Sequence, residues 1–204
     1  MPRPQTIKDE DVLRAAREVF LEQGIRATTA QVAKRAGIAE GSIFYRFKTK
    51  AELFQAAMKP EVDDPPFLAK LPGRVGTGDI REALVETGLD VIGFLREIFP
   101  LIMMSWSNPA PSGLPALLDV PNPPPLRVLK RIAGYFEAEM RAGRLQRREP
   151  EVAARMVLGS LANYVLFEIL LRAQLELPLP PATFVRSLVD ILLGGLAPPR
   201  KEAI

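Results

Sequence analysis

The stretch from Thr28 to Lys50, TTAQVAKRAGIAEGSIFYRFKTK, leaves the chain fewer options than any other. Thr28 precedes Gln31 by three residues, the spacing of a capping box. The threonine hydroxyl takes the third helical amide, and the glutamine side chain takes the cap amide. Val32, Ala33 and Ala36 then give one small apolar face at helical spacing. Gly37 stops this helix, because the residue past a helix end commonly turns left-handed, a conformation glycine adopts cheaply. Ile38 drops toward the core. A second short helix is expected from about Glu40 to Phe47, with Ile43, Phe44 and Phe47 inward and Ser42, Tyr45 and Arg46 outward. Thr49 and Glu52 repeat the capping spacing and open a helix through Leu53, Phe54, Ala57 and Met58.

Two short helices joined by a tight glycine turn make a helix-turn-helix, whose second helix can enter the major groove of DNA. Groove entry needs small or polar residues at the helix start and donors for phosphates and base edges. Gly41 and Ser42 allow close approach; Tyr45, Arg46, Lys48 and Lys50 supply donors. Between Arg26 and Lys50 six bases (Arg26, Lys34, Arg35, Arg46, Lys48, Lys50) stand against one acid, Glu40, a local balance of +5. The whole chain carries only +3, so positive charge is concentrated where a phosphate backbone would lie.

From about Ile7 to Met58 the chain resembles the DNA-binding domain of TetR-family transcriptional regulators. The likeness rests on a first helix ending at Gly24, followed by TTAQVAKRAGIAEGSIFYRFKTKAELF. It implies an all-α homodimer with an N-terminal three-helix, homeodomain-like DNA-binding domain. A C-terminal helical domain would bind a small molecule and hold the dimer together, and the protein would repress or tune transcription. Three positions depart from the family's usual pattern. Ala39 stands where serine normally caps the second helix, a loss of about 1 kcal/mol of local stability. Phe44 replaces a tyrosine, leaving Tyr45 as the hydroxyl donor. Glu40 puts an acid at the groove, where it either accepts from a cytosine amino group or repels phosphate.

The DNA-facing set is therefore Arg26, Thr28, Thr29, Gln31, Glu40, Gly41, Ser42, Ile43, Tyr45, Arg46, Lys48 and Lys50. Thr28, Tyr45, Lys48 and Lys50 are expected at phosphates, and Glu40, Ser42, Ile43 and Tyr45 at bases. Ahead of this motif, Thr6 is expected to begin a helix whose first turn carries Asp9, Glu10 and Asp11, where the helix dipole favours acids. Val12, Leu13, Ala16, Val19 and Phe20 are its buried stripe, and Arg14 and Arg17 are expected in solvent. Met1 to Gln5 is expected to be a disordered arm.

No cysteine or histidine is present, which excludes disulfides, thiol nucleophiles, His-based triads and the usual zinc or haem ligands. No carboxylate pair has catalytic spacing, so an enzyme is not expected, nor is a metal or cofactor. The N-terminus has no apolar signal core. No uncharged stretch of about 18 residues suggests a membrane span. A cytoplasmic protein is expected.

Domain boundaries follow from proline and glycine. Residues 1–59 form the DNA-binding domain. Residues 60–78, with Pro60, Pro65, Pro66, Pro72, Gly73, Gly76 and Gly78, read as a linker without a long helix. Residues 79–204 form the helical effector and dimerisation domain. Within it Asp79 and Glu82 start a helix that Pro100 kinks or ends. Asn108 to Pro125 is a proline-rich loop, either a lid or a connector. Leu126 to Ala142 is amphipathic and stops at Gly143. The bases Arg141, Arg144, Arg147 and Arg148 then either offset the helix dipole from the solvated surface or touch DNA a second time.

The segment Glu151–Leu175, entered at Pro150, is apolar nearly all round, and a last apolar helix opens at Pro181. These two are expected to pair with their copies in a four-helix interface through Met156, Leu161, Val165, Phe184, Leu188, Ile191 and Leu192. The Met/Trp cluster around residue 104 reads either as core or as the wall of an apolar pocket. The pocket set is Phe94, Met103, Met104, Trp106, Leu117, Tyr135, Phe136, Asn163, Tyr164, Phe167 and Glu168, with Asn163 and Glu168 as polar handles. The function these readings favour is a repressor released from a palindromic operator by a small hydrophobic molecule. A constitutive DNA-binding regulator without an effector is the alternative.

Overall fold

The computed structural model describes residues 8–59, 64–107, 109, 112–115 and 118–194, and every regular element among them is helical. In chain order these are α1 (Asp9–Gln23), a 3-10 turn (Gly24–Arg26), α2 (Thr29–Ala36), α3 (Glu40–Arg46), α4 (Lys50–Met58), α5 (Phe67–Arg74), α6 (Ile80–Ser105), α7 (Pro124–Arg141), α8 (Pro150–Leu171), α9 (Ala173–Glu176) and α10 (Pro181–Gly194). They divide into two compact units, Met1–Asp63 with Ile98–Pro123, and Asp64–Glu97 with Pro124–Ile204. The helix expected to start at Thr6 begins instead at Asp9, with Lys8 in extended backbone at its cap, and the expected arm, Met1 to Gln5, lies outside the described residues.

In the first unit α1 packs against α2 and α4. Val12, Ala16, Val19 and Phe20 on α1 are buried, as are Val32, Leu53, Phe54 and Ala57 on the neighbouring helices. Phe20 meets Phe54 edge to face, with ring centroids 5.0 Å apart, a preferred aromatic geometry. Arg17 is not solvated as its position on α1 suggests. Its Nε donates to the Ala57 carbonyl at 2.9 Å and its Nη2 to the Lys59 carbonyl at 2.8 Å. Carbonyls at a helix end have no intrahelical partner, so Arg17 serves as a cap for α4 from another helix.

The stretch from Lys59 to Gly78 contains the short helix α5, held by Phe67, Leu68 and Leu71, all buried. Phe67 packs edge-on against Phe94, with centroids 6.2 Å apart. The helix α6 does not end at Pro100 but runs on to Ser105. Proline removes one backbone bond, yet its φ suits a helix, and Ile98 and Leu101 on either side of it are buried.

The second unit is built on the pairing of α7 with α8. Gly143 makes the turn out of α7 with φ +74°, and the Gly143 and Arg144 amides bond back to the Met140 and Glu139 carbonyls. A fully buried carboxylate lies beside this turn. Glu139 has no exposed surface, and its Oε2 accepts from Arg144 Nε at 2.9 Å. Arg144 also donates to the carbonyls of Thr77 and Gly78 at 2.8 and 3.0 Å. The Gly76 amide points at the same carboxylate oxygen from 3.4 Å. Arg74 completes the knot through Thr87, Glu86 and the Ala83 carbonyl. Arg144 is thus a structural residue, not a member of a solvated basic run. Burial, and after it the Glu139 carboxylate, push the Tyr135 phenol above its ordinary pKa.

Gly88 on α6 lets α10 approach closely. A Cβ there would lie 2.6 Å from Val185 Cγ1.

Glu139→Ala is expected to destabilise the protein by about 3–5 kcal/mol, because it takes the buried carboxylate away from the part-buried Arg144 guanidinium. The Glu139→Ala/Arg144→Ala double variant is expected to lose less than the sum of the two single losses. Urea denaturation followed by circular dichroism measures both. Gly88→Ala is expected to cost about 1–3 kcal/mol through overpacking, and a Val185→Ala background should recover part of that loss in the same assay.

Candidate nucleic-acid interface and C-terminal surfaces

The head is assembled from local signals. Thr28 accepts from the Gln31 amide at 3.2 Å, and Gln31 Oε1 accepts from the Thr28 amide at 2.7 Å, so the capping box is complete. Gly37 takes the left-handed conformation, φ 70° and ψ 31°, and turns the chain into α3. At α4 the expected box is divided. Thr49 caps Glu52, but the Glu52 carboxylate accepts from the Lys48 amide instead of the Thr49 amide.

The seven-residue α3 is anchored by Ile43, which is fully buried. The expectation that Ile43 faces bases is therefore corrected: it is a core residue. Phe44, expected inward, is half exposed instead. Tyr45 is 92% exposed, the most projecting aromatic of the head. Gly41 is exposed with open space around it, and Ser42 is half-buried beside it. Arg26, Thr28, Gln31, Lys48 and Lys50 are all exposed.

Beyond the capping pair, Arg46, Thr29 and Glu40 of the expected DNA set are engaged with neighbouring helices. Arg46 lies within 3.3 Å of Asp9 at the start of α1, and little of its side chain is exposed. Thr29 is 8% exposed, and its hydroxyl donates to Glu40 Oε1 at 2.6 Å. Glu40 is thereby tied across the turn from α3 to α2. Arg35 is held by Glu18 and Glu22 at 3.0 and 2.7 Å, which ties α2 to α1. The Arg35 hydrogen bond draws the Glu22 carboxyl below its usual pKa. Arg35 and Arg46 are thus engaged by acids of the fold, while Arg26, Lys34, Lys48 and Lys50 lie exposed at the surface.

The expected pocket set is divided between the units. Met103, Met104 and Trp106 belong to the first; Met103 and Trp106 are exposed. Leu117 lies outside the described residues. In the second unit Phe94 packs on Phe67, and Tyr135 and Phe136 are buried. Glu168 is not an available handle, because both its oxygens are taken by Arg96 at 2.8 and 2.9 Å. Tyr164 stacks on Phe184 at 4.5 Å and donates its hydroxyl to the Leu179 carbonyl at 2.6 Å. Phe167 is half exposed. A cavity of about 330 Å³ has Phe136, Met140, Leu145 and Leu192 among its walls, with Gln146 and Arg148 as polar members.

The expected interface set is also divided. Leu161 and Val165 are fully buried within the chain, a correction to their placement at a dimer contact. Met156 and Ile191 are exposed, while Phe184, Leu188 and Leu192 are half-buried. Val152, Leu170 and Leu171 on α8 are exposed too, and the sequence reading did not single them out as surface. A groove of about 490 Å³ runs between α8 and α10, with Asn163, Leu179, Phe184, Leu188 and Ile191 along it. By length and composition α8 is apolar enough to cross a membrane, with mean hydropathy 1.5 in its most apolar window, yet only 17% of that window is buried in the chain.

Two family models match the chain: "Bacterial regulatory proteins, tetR family" over residues 12–57, and "AefR-like transcriptional repressor, C-terminal domain" over residues 122–194. Among curated proteins it is 40% identical over 48 residues to the HTH-type transcriptional repressor BepR of Brucella suis, covering 23% of each chain. It is 31% identical over 88 residues to the probable HTH-type transcriptional regulator ArpR of Pseudomonas putida, covering 43% of this chain and 37% of that one. The chain thus matches less than two fifths of the length of these relatives. The fold matches a putative TetR-family regulator from Mesorhizobium loti with TM-score 0.69 and 17% identity, over 95% of this chain and 98% of that one. It also matches FadR from Bacillus subtilis, solved in complex with stearoyl-CoA, with TM-score 0.60 and 18% identity, over 93% of this chain and all of that one.

Burial separates the roles of neighbouring residues on α3. Ile43→Ala is expected to destabilise the head by about 2–5 kcal/mol. Tyr45→Ala is expected to stay within about 0.5 kcal/mol of wild type. Thermal unfolding followed by circular dichroism distinguishes them.

Proposed function

The chain belongs to the TetR family of transcriptional regulators, and from that premise we propose that it is a homodimeric repressor, released from a palindromic operator by a small hydrophobic molecule. The observation that carries the DNA-binding reading is the outer face of α3. Ile43 pins that helix from below while Tyr45 projects almost entirely into solvent between the exposed Lys48 and Gly41. In this reading Arg26, Thr28, Lys48 and Lys50 meet phosphates, and Gly41, Ser42 and Tyr45 approach base edges. Arg46 braces α3 against α1 through Asp9 and does not read DNA.

Dimerisation is supported by α8. A helix this apolar, with most of its surface open, needs a partner. A second copy supplies one with two-fold symmetry, and two heads would then sit in successive major grooves about 34–36 Å apart or a multiple of it. The Arg96–Glu168 ion pair puts charge on the same helix, which suits a protein interface better than lipid. The site of action is the cytoplasm, where the operator lies.

Effector control is supported by the cavity bordered by Phe136 and by the fold shared with an acyl-CoA-bound regulator. A ligand would lower operator affinity only by its preference for the conformation that separates the heads wrongly. The constitutive alternative is favoured by one observation: Tyr135 and Phe136 are packed in the core, and Glu168 is already paired. Titration of the DNA complex with hydrophobic acids and acyl thioesters separates the two, since a constitutive regulator stays bound throughout.

On its own upstream DNA the protein is expected to give a two-fold footprint whose affinity falls linearly on a log–log salt plot. Lys48→Ala should weaken binding to all sequences alike and reduce the salt slope by about one. Equal, sequence-blind binding to upstream and control DNA would defeat autoregulation. Met156→Glu with Ile191→Glu is expected to convert the dimer to monomer in sedimentation equilibrium and to abolish the two-fold footprint.

A further inference from the structure

Glu40 is an anomaly in the head: the only acid between Arg26 and Lys50, at the start of the helix proposed to enter the groove. A carboxylate brought near phosphates is repelled unless a donor meets it. Its two oxygens have different fates. Oε1 accepts from the Thr29 hydroxyl at 2.6 Å, whereas Oε2 has no donor among the described residues. Thr29 is itself well fixed, being buried and following directly on Thr28, the N-cap of α2. Its hydroxyl is not needed for the cap, which Thr28 and Gln31 complete between them. The carboxylate therefore has one oxygen bound to the scaffold and the other available to an incoming group. Gly41 next to it has open space where a side chain would stand, so a base edge can come close.

The major groove offers few groups that such an oxygen can accept from. Cytosine presents its amino group as a lone donor. Guanine presents two acceptors, thymine an acceptor and a methyl group, and adenine an amino donor beside an N7 acceptor. A fixed carboxylate oxygen is attracted by the first, repelled by guanine and thymine, and opposed at adenine by N7.

We propose that Glu40 is a specificity-determining residue that selects cytosine at one position of each operator half-site, and that Thr29 is the positioning residue that holds its carboxylate in place. This inference rests on the regulator reading. The bond from Thr29 also links the two helices of the motif, so loss of Thr29 weakens the preference for cytosine without removing the reading side chain.

The test is selection from a randomised duplex DNA library by the full-length protein, run with wild type, Glu40→Gln, Glu40→Ala and Thr29→Val, each first checked for wild-type melting. The wild type is expected to return a two-fold motif with one symmetric pair of cytosines preferred by about tenfold or more, within the range a good polar base contact supplies. Glu40→Gln should abolish the preference for cytosine, because with its oxygen held by Thr29 the amide turns an NH2 donor toward the base, which the cytosine amino donor cannot accept. Glu40→Ala should erase it, and Thr29→Val should blunt it, with every other position of the motif unchanged. A motif identical in wild type and Glu40→Ala overturns the inference and leaves Glu40 as a bracket for Thr29. Absence of any two-fold motif in the wild type overturns the regulator reading together with it.

Discussion

A helix of seven residues does not hold its shape in water; nucleation costs too much for so few hydrogen bonds. Everything the head does depends on how α3 is held despite this. Ile43 supplies the apolar anchor. Asp9 holds the C-terminal end through Arg46. Thr29 holds the N-terminal end through Glu40, on a helix whose cap position, Ala39, has no side-chain acceptor. Each restraint comes from a different helix or face, so α3 is fixed in angle as well as position. The supports are themselves supported: α2 is capped by Thr28 and Gln31 and tied to α1 by Arg35, and α4 is closed at its end by Arg17.

The second unit solves a different problem. It contains a buried charge, Glu139, which an apolar interior does not tolerate alone. Arg144 neutralises it, and the same guanidinium collects the carbonyls of Thr77 and Gly78 in the glycine-containing turn. A turn with two left-handed glycines, Gly76 and Gly78, has little conformational preference of its own. Its shape is imposed by arginines from both sides, Arg74 and Arg144. Elsewhere the unit is closed by shape, as where Gly88 admits Val185.

What the sequence disclosed, and what it withheld, divides along the range of the interactions. The Thr28/Gln31 box, the Gly37 turn and the acidic start of α1 depend on residues within four positions, and all were legible. The buried stripe of α1 was legible because apolar side chains recur at one period. Arg17, Arg46 and Arg144 were not, because their partners lie 40, 37 and 5 residues away in directions that periodicity does not encode. A basic residue in a basic window reads as a DNA contact until its acid is found. The face of α8 was illegible for another reason. Apolar on all sides, it carries no stripe, so Leu161 and Val165 could not be told from Met156 before packing assigned two to the interior and one to the surface. Glu168 belongs with the arginines, since its partner Arg96 lies 72 residues away on another helix. Pro100 shows that a local rule can yield to burial on both sides of it.

The arrangement of α3 has an evolutionary consequence. Along seven residues, positions that support the protein alternate with positions that only project from it. Ile43 and Arg46 are committed to the fold, while Gly41, Phe44 and Tyr45 stand exposed between and around them. Substitution at the exposed positions changes what the surface presents with little penalty in stability. On the proposed reading, descendants of this chain can drift toward new target sequences through viable intermediates. Glu40 is the exception, since its partner Thr29 would have to change with it, and the pair should vary together or not at all.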